Sequence, residues 1–180
     1  MKITKTTIDG VFVLDPEPRT DSRGYFARVF AKEELIATSL RFDIVHINRS
    51  MTKERGTIRG IHYQTKPRQE DKIIQCLIGK IFDVAVDLRP NSKTYKKWFG
   101  IELSAENKKM LLVPKGCGHG FQTLVSNCTI EYFVTQYYSP QHEKGILWSD
   151  PTFNIDWPIK RATLSDKDMK WPHFNPHITK

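Results

Sequence analysis

Apolar residues along the chain recur mostly with a period of two, in runs rich in β-branched and aromatic side chains. The clearest runs cover residues 73–78, 81–88 and 129–138. A period of two is typical of β-strands, because successive side chains point to opposite faces. Gly79 and Lys80 separate the first two runs, which predicts a hairpin at that point. The pattern therefore predicts a chain made mainly of β-strands.

Helical patterns are few and short. One covers residues 32–37 and another covers residues 165–170, in which Ser165 and Asp168 have the spacing of a capping box. Many short strands separated by turns are typical of an antiparallel sandwich or barrel. No composition shift or flexible linker divides the 180 residues. We therefore expect one mainly β domain over residues 1–180, a jelly-roll β-barrel or sandwich with a few short helices.

The charge of the chain narrows the class of partner. There are 28 basic and 20 acidic residues, for a net charge of +8, but the lysines are scattered in pairs and form no long basic run. This distribution favours a solvated basic surface for the lysine pairs and argues against a nucleic-acid partner, and it leaves Arg23, Arg59 and Lys72 as the cations that suggest a function. The longest apolar runs are far shorter than the roughly 18 residues of a membrane span, so no membrane partner is expected. The N-terminus lacks the apolar core of a signal peptide, which predicts a cytoplasmic protein.

The cysteines agree with a reducing compartment. Cys76, Cys117 and Cys128 are odd in number, widely spaced and without a C-x-x-C pair. This arrangement argues against a disulfide framework or a zinc knuckle and favours reduced core residues. Cys117 lies close to His119 and is a possible nucleophile, but its strand-like setting between glycines favours a packing role.

Two glycine-flanked histidines carry the candidate chemistry. His62 lies in the segment 59–64, which begins with Arg59 and is followed by Lys72; His119 lies in a second segment, 114–121. Imidazole titrates near neutral pH, and neighbouring cations stabilise negative charge that develops when a proton is removed. The pattern therefore predicts a proton-transfer site for an anionic substrate, with Arg23 as a further candidate cation.

The spacing of these two segments is similar to the two halves of a cupin signature. Metal-binding cupins supply two histidines and a glutamate from the first half and a histidine from the second, whereas this chain offers His62 with Gln64, a loosely spaced Glu70, and His119. Two histidines and a glutamine make a poor transition-metal set. We therefore expect a cupin-like jelly roll that holds no metal, and in the absence of phosphate-binding glycine loops we expect no cofactor.

Over nearly its whole length the chain resembles the dTDP-4-dehydrorhamnose 3,5-epimerase family. The blocks that carry this resemblance occur in the same order as in the family and cover residues 21–26, 59–64, 83–89, 103–107, 114–121, 137–140, 148–151 and 157–168. The resemblance implies a cofactor-free isomerase that inverts C3 and C5 of dTDP-4-dehydro-6-deoxy-D-glucose, giving dTDP-4-dehydro-L-rhamnose through an enolate in deoxysugar biosynthesis.

The resemblance also implies roles for individual residues. His62 would be the base, Asp168 the carboxylate that orients it, and Tyr132 the acid on the opposite face. Lys72, Arg59 and His119 would stabilise the enolate or hold the diphosphate. Tyr137 would contact the substrate, but only if a bend or bulge precedes it, because it points away from Tyr132 in an unbroken strand. Asp83 either holds His119 or is an ordinary strand-end carboxylate.

The family pattern further implies a nucleotide-sugar substrate and a homodimer with N-terminal segment exchange. Arg23 would then reach the partner's diphosphate, and Phe26 would pack on the base. Arg28 replaces an acidic residue of the family, and the block containing His46 and Asn48 also departs from the family sequence. All three border the substrate in the family, so these departures leave open whether this protein binds the same nucleotide base and the same sugar as the family.

Three other functions stay open on the sequence. The first is a single-centre epimerase that inverts C3 or C5 of a different sugar nucleotide. The second is a metal-dependent cupin oxygenase or isomerase that uses His62, His119 and Glu70. The third is a jelly roll that binds carbohydrate without catalysis.

Overall fold

Two antiparallel sheets form the core of the computed structural model, which describes residues 1–176. The last four residues of the predicted domain 1–180 lie outside the described part. The six-stranded sheet has the order β1 (Lys2–Lys5), β2 (Phe12–Asp15), β10 (Met110–Val113), β7 (Lys72–Ile78), β12 (Cys128–Val134) and β5 (His46–Thr52). The five-stranded sheet has the order β13 (Glu143–Gly145), β6 (Ile58–Gln64), β11 (Cys117–Thr123), β8 (Lys80–Asp87) and β9 (Trp98–Ser104). A separate hairpin pairs β3 (Arg19–Asp21) with β4 (Gly24–Phe26). This architecture confirms the predicted mainly β, jelly-roll class.

Helices are as scarce as the sequence predicts. The pattern at 32–37 gives a 3-10 helix, Glu34–Thr38, and the pattern at 165–170 gives one α-helical turn, α1 (Asp166–Met169). Ser165 caps α1, because its side chain accepts a hydrogen bond from the Asp168 backbone N–H. Within the described residues, no helix is long and apolar enough to cross a bilayer.

The main apolar cluster lies between the two sheets and draws side chains from both. Ile74 and Cys76 of β7 pack there with Ala85 of β8 and Phe121 of β11. Other clusters cover the outer faces: the segment after β4 packs on the six-stranded sheet, and the C-terminal segment packs on the five-stranded sheet. Many strands are buried on both faces, so their sequences contain consecutive apolar residues in addition to the alternating pattern.

The predicted hairpin at Gly79 and Lys80 is wrong. The strands β7 and β8 are consecutive, but β7 pairs with β10 and β12, whereas β8 pairs with β11 and β9. The turn at Gly79, with φ +77°, therefore carries the chain from one sheet to the other. A short glycine turn is a local signal, whereas the choice of sheet depends on which faces bury together.

The predicted strand 129–138 is too long at its C-terminal end. β12 ends at Val134, which pairs with His46, and a bend follows at residues 135–136. The Thr135 side chain accepts a hydrogen bond from the Asp71 backbone N–H at 2.9 Å, which ties the bend to the loop before β7. This is the bend that a substrate contact by Tyr137 would require.

The three cysteines are buried free thiols. Burial raises the pKa of Cys117 to about 12, so its thiol stays protonated at neutral pH. The structure therefore favours a packing role for Cys117 over a role as a nucleophile.

Candidate active site

A cleft between the facing sides of the two sheets brings most of the predicted site residues together. Two adjoining cavities of about 370 Å³ and 230 Å³ share His62, Lys72 and Tyr132 in their walls. The smaller cavity also has Arg59 and His119 in its wall. Residues from β6 and β11 thus face residues from β7 and β12 across the space in which a ligand would lie.

A close approach of β6 and β11 sets the two histidines side by side. His62 pairs with His119 in the ladder, and the register shifts between His119 and Phe121. At Gly60, with φ +133°, an added Cβ would lie 2.5 Å from the Gly120 Cα atom. Glycine at position 60 therefore permits the backbone contact on which this juxtaposition depends.

His62 forms a dyad with Asp168. The His62 Nε2 atom lies 2.5 Å from Asp168 Oδ1, and the carboxylate also accepts hydrogen bonds from Ser165 Oγ and Trp171 Nε1. Burial by itself would raise the pKa of Asp168, but the hydrogen bond from His62 and the other donors lower it. An ionised Asp168 accepts a hydrogen bond from His62 Nε2–H, which leaves the Nδ1 lone pair free to act as a base.

His119 forms a second pair with Asp83. The His119 Nε2 atom lies 2.8 Å from Asp83 Oδ1, and Asp83 is completely buried. Within residues 1–176 the other oxygen of Asp83 has no hydrogen-bond partner, so the carboxyl group is held through the oxygen that faces His119. The pairing, which the sequence left open, is confirmed.

The cations of the cleft are held by different partners. Lys72 Nζ lies 2.9 Å from Glu70 Oε1. Arg59 donates from Nε to Thr52 Oγ1 and from Nη2 to the Met51 carbonyl, at 3.0 and 3.2 Å. Both cations line the smaller cavity, where the N–H groups that their protein partners leave free can donate to an anion.

Tyr132 faces His62 from the opposite sheet. Tyr132 lies on β12 between Asn48 of β5 and Ile74 of β7, whereas His62 lies on β6. Both residues line both cavities. A planar ligand between the sheets would meet an imidazole on one face and a phenol on the other.

The outer part of the cleft includes predicted residues and others that the sequence analysis missed. His46 and Asn48, the predicted substrate contacts on β5, line the larger cavity together with Gln136, Tyr138 and Glu143. Tyr138 donates a hydrogen bond to Glu143 at 2.7 Å. Had the predicted strand 129–138 been unbroken, alternation would have placed Tyr138 on the same face as Tyr132, and this expectation could have identified Tyr138 although β12 ends at Val134. Glu143 had no comparable signal.

Four of the predicted substrate-binding residues lie outside the walls of these two cavities. Arg23 and Phe26 lie on the exposed β3–β4 hairpin, where Arg23 pairs with Asp21. The other two are Arg28, whose guanidinium lies 3.8 Å from Glu34, and Tyr137, whose ring meets His46 edge-on. Their contact with substrate stays a prediction.

The donor set for a metal-dependent cupin is not assembled in the described residues. Within residues 1–176, no group of three or more histidine, cysteine, aspartate or glutamate side chains could hold a metal ion. Glu70 instead pairs with Lys72, and each histidine faces its own aspartate. The geometry favours proton transfer by the protein's own side chains over metal chemistry.

The comparisons with known proteins place this jelly roll, with a histidine and a tyrosine on opposite walls of a cationic cleft, in the isomerase class. The family model for dTDP-4-dehydrorhamnose 3,5-epimerase matches residues 5–176. The chain is 41% identical to the dTDP-4-dehydrorhamnose 3,5-epimerase of Shigella flexneri over 177 residues, which cover 97% of this chain and 96% of that protein. The chain belongs to the dTDP-4-dehydrorhamnose 3,5-epimerase family, which confirms the predicted resemblance.

Solved structures agree with this assignment. The Bacillus anthracis dTDP-4-dehydrorhamnose 3,5-epimerase, with TDP and PPi bound, is 42% identical with a TM-score of 0.93, and the match covers 96% of this chain and 99% of that one. The Legionella pneumophila dTDP-6-deoxy-D-glucose-3,5-epimerase, in complex with dTDP-4-keto-L-rhamnose, is 34% identical with a TM-score of 0.93. That match covers 99% of this chain and 96% of the other.

Proposed function

We propose that this enzyme converts dTDP-4-dehydro-6-deoxy-D-glucose into dTDP-4-dehydro-L-rhamnose by inverting C3 and C5, without a cofactor. The observation that carries the proposal is the placement of His62 and Tyr132 on opposite sheets of one cationic cleft. Inversion requires a proton to leave one face of a carbon and another to arrive at the opposite face. A base and an acid on the same side would only return the proton.

The reaction would begin at the base. C3 and C5 both flank the C4 carbonyl, so loss of either proton sends the electron pair of the C–H bond onto O4 as an enolate. His62 takes the proton, and Asp168 stabilises the imidazolium that results. A positioned base of this kind contributes about 10²–10⁴-fold to the rate.

The second half of the reaction would use the opposite wall. Tyr132 donates its phenolic proton to the other face of the carbon, the enolate electrons return, and the C4 carbonyl forms again. Lys72 and Arg59 would supply positive charge for O4 or the diphosphate, and His119 in the same wall would help to hold either group. Each donor to a developing oxyanion is worth about 10²–10³-fold.

The nucleotide would lie toward the outer part of the cleft. The Bacillus anthracis relative has TDP bound, and the Legionella pneumophila relative has a dTDP-sugar bound, which supports a nucleotide-sugar substrate here. His46 and Asn48 would contact it from β5. The exposed Arg23 and Phe26 are available to a second subunit, since 67% of Phe26 is accessible in one chain.

A homodimer with N-terminal segment exchange therefore belongs to the proposal, in which Arg23 and Phe26, and with them Arg28 and Tyr137, complete a substrate site. The exchange can be tested by co-expressing Arg23→Ala and His62→Ala chains. If Arg23 acts in the partner's cleft, the mixed dimer regains one complete site and becomes active, whereas each variant alone is impaired. Failure of the mixed dimer to regain activity would contradict the exchange.

The cytoplasmic location also stays a proposal, supported by the three reduced thiols.

The reaction itself is tested by incubation with dTDP-4-dehydro-6-deoxy-D-glucose in D₂O. NMR would follow deuterium at C3 and C5 for the native enzyme, for His62→Ala, and for His173→Ala as a matched histidine that is 66% exposed and pairs with Asp150. We expect exchange at both carbons in the native enzyme and in His173→Ala, and none in His62→Ala. Exchange at one carbon only would make the enzyme a single-centre epimerase. Absence of exchange in the native enzyme would contradict the proposed reaction on this substrate.

A further inference from the structure

The ammonium group of Lys72 already has an anionic partner inside the cleft. Glu70 Oε1 lies 2.9 Å from Lys72 Nζ, and the two side chains are only 13% and 14% exposed. Both residues line the larger cavity. The proton transfers described above use Lys72 as a cation but give no role to the carboxylate beside it.

Glu70 is itself held in place. Its second oxygen accepts a hydrogen bond from Gln64 Nε2 at 3.2 Å, and Gln64 is buried. The same Gln64 amide donates to the Arg68 and Tyr137 carbonyls, and its oxygen accepts from the Ser139 backbone N–H at 2.7 Å. The carboxylate is therefore anchored to the rim of the cleft and does not simply follow the flexible lysine.

The pair changes what Lys72 offers to a ligand. An unpaired ammonium in the cleft would attract the substrate's diphosphate at long range, and this attraction would be equal in the ground state and the transition state. Such uniform binding does not accelerate the chemical step. A carboxylate at 2.9 Å cancels most of the long-range field, yet occupies only one of the three N–H donors of lysine. The remaining donors still form short hydrogen bonds to an oxyanion.

We propose that Glu70 is a positioning residue that holds Lys72 and screens it from the diphosphate, so that the ammonium serves the enolate oxygen. This inference rests on the proposed function for the identity of the enolate. The screening part concerns diphosphate binding alone and can be measured without turnover.

The test compares Glu70→Gln with a matched variant, Glu131→Gln. Glutamine keeps the shape of the side chain and can still accept from Gln64, but it removes the charge. Glu131 also pairs with a cation, Arg49, at 2.6 Å, but it faces away from the cleft on β12. Both variants therefore make the net charge more positive by the same amount, in different places.

For Glu70→Gln we expect dTDP to bind roughly tenfold more tightly in calorimetry, because an unscreened ammonium now faces the phosphates. KM for the 4-keto sugar should fall in the same direction, while kcat falls about 10-fold to 10²-fold because Lys72 is no longer held in place. A merely structural residue would not give tighter binding together with slower turnover. Glu131→Gln should change dTDP affinity, KM and kcat by less than about twofold, because its charge lies on the face of β12 opposite to Tyr132 and the cleft.

A third variant separates charge from position. Glu70→Asp keeps the negative charge but shortens the side chain, so dTDP affinity should stay near the native value while kcat falls. Unchanged or weaker dTDP binding in a folded Glu70→Gln enzyme would overturn the screening, and unchanged kcat in both variants would overturn the positioning. If the native chain shows no exchange in D₂O, the proposed function fails, whereas the dTDP comparison still decides whether Glu70 screens Lys72.

Discussion

The dyad of His62 and Asp168 gives the most direct test of the mechanism. The substitution Asp168→Asn keeps the volume and the hydrogen-bonding shape of the side chain but removes its charge. In the native enzyme the carboxylate lies 2.5 Å from His62 Nε2 and is also held by Ser165 and Trp171. An asparagine at this place can turn its N–H₂ group to the ring and favour the tautomer with its proton on Nδ1, the nitrogen needed as base.

The size of the effect follows from the geometry. Opposite unit charges about 4 Å apart attract by ~4 kcal/mol at an effective dielectric constant near 20. The His62 side chain is 32% exposed, so solvent screens part of this attraction. We therefore take about 2–3 kcal/mol for the lost stabilisation of the imidazolium, which corresponds to roughly 10²-fold in kcat. The His62→Ala substitution sets the upper limit, at about 10²–10⁴-fold.

The assay is the initial rate of deuterium entry at C3 and C5, with circular dichroism and urea unfolding to show that the variant is folded. Asp166→Asn is the matched control, because Asp166 is an exposed aspartate on the same helical turn. The control should retain the native rate. A folded Asp168→Asn enzyme that works within threefold of the native rate would refute the view that this carboxylate makes His62 an effective base.

Three further outcomes are expected. Tyr132→Phe should let deuterium enter from the base side while inversion falls by about 10²-fold or more, which NMR separates because exchange and inversion give different signals. Gly60→Ala should lower the free energy of unfolding by roughly 2–5 kcal/mol, since its Cβ would meet backbone at 2.5 Å, whereas Gly24→Ala, with a similar φ but nothing within 4 Å, should lose less. Burial would raise the pKa of Asp87, but hydrogen bonds from Arg89 and two hydroxyls lower it. The contribution of ionised Asp87 to the free energy of unfolding is present above its unfolded-state pKa of 3.8 and is lost as the pH falls through its lower folded-state pKa. Asp87→Asn should therefore lower the free energy of unfolding by about 3 kcal/mol at pH 7, measured by urea unfolding, and make that free energy less sensitive to acid.

The strands were well predicted because their signal is local. The runs at 73–78 and 81–88 correspond to β7 and β8, and the boundaries differ by only one residue at either end. His62, Lys72 and His119 became candidates because an imidazole beside cations suits the removal of a proton from an anionic substrate, and because the same residues carry the family resemblance. The two errors are the hairpin predicted at Gly79 and the excessive length of the predicted strand 129–138. Both concern the path of the chain at the end of a strand.

The residue types also indicated most of the candidate residues of the cleft, but they did not indicate which side chains pair with each other. Asp168 lies 106 residues from His62, and within its own segment it is only the fourth position of a helix cap. The anchoring of Glu70 by Gln64, and of Gln64 by the loop after β12, likewise depends on contacts between segments far apart in the chain.

The sequence by itself determined that this protein is mainly β, where its clearest strands lie, and which side chains are candidates for exchanging protons or holding an anion. These properties follow from side-chain alternation and from functional groups that each residue carries wherever it lies. Tertiary structure alone decided which sheet each strand joined, that His62 and Tyr132 face each other across the cleft, and that Lys72 is paired with Glu70. Those outcomes depend on how two sheets bury their apolar faces against each other, and this burial brings together residues that no local pattern connects.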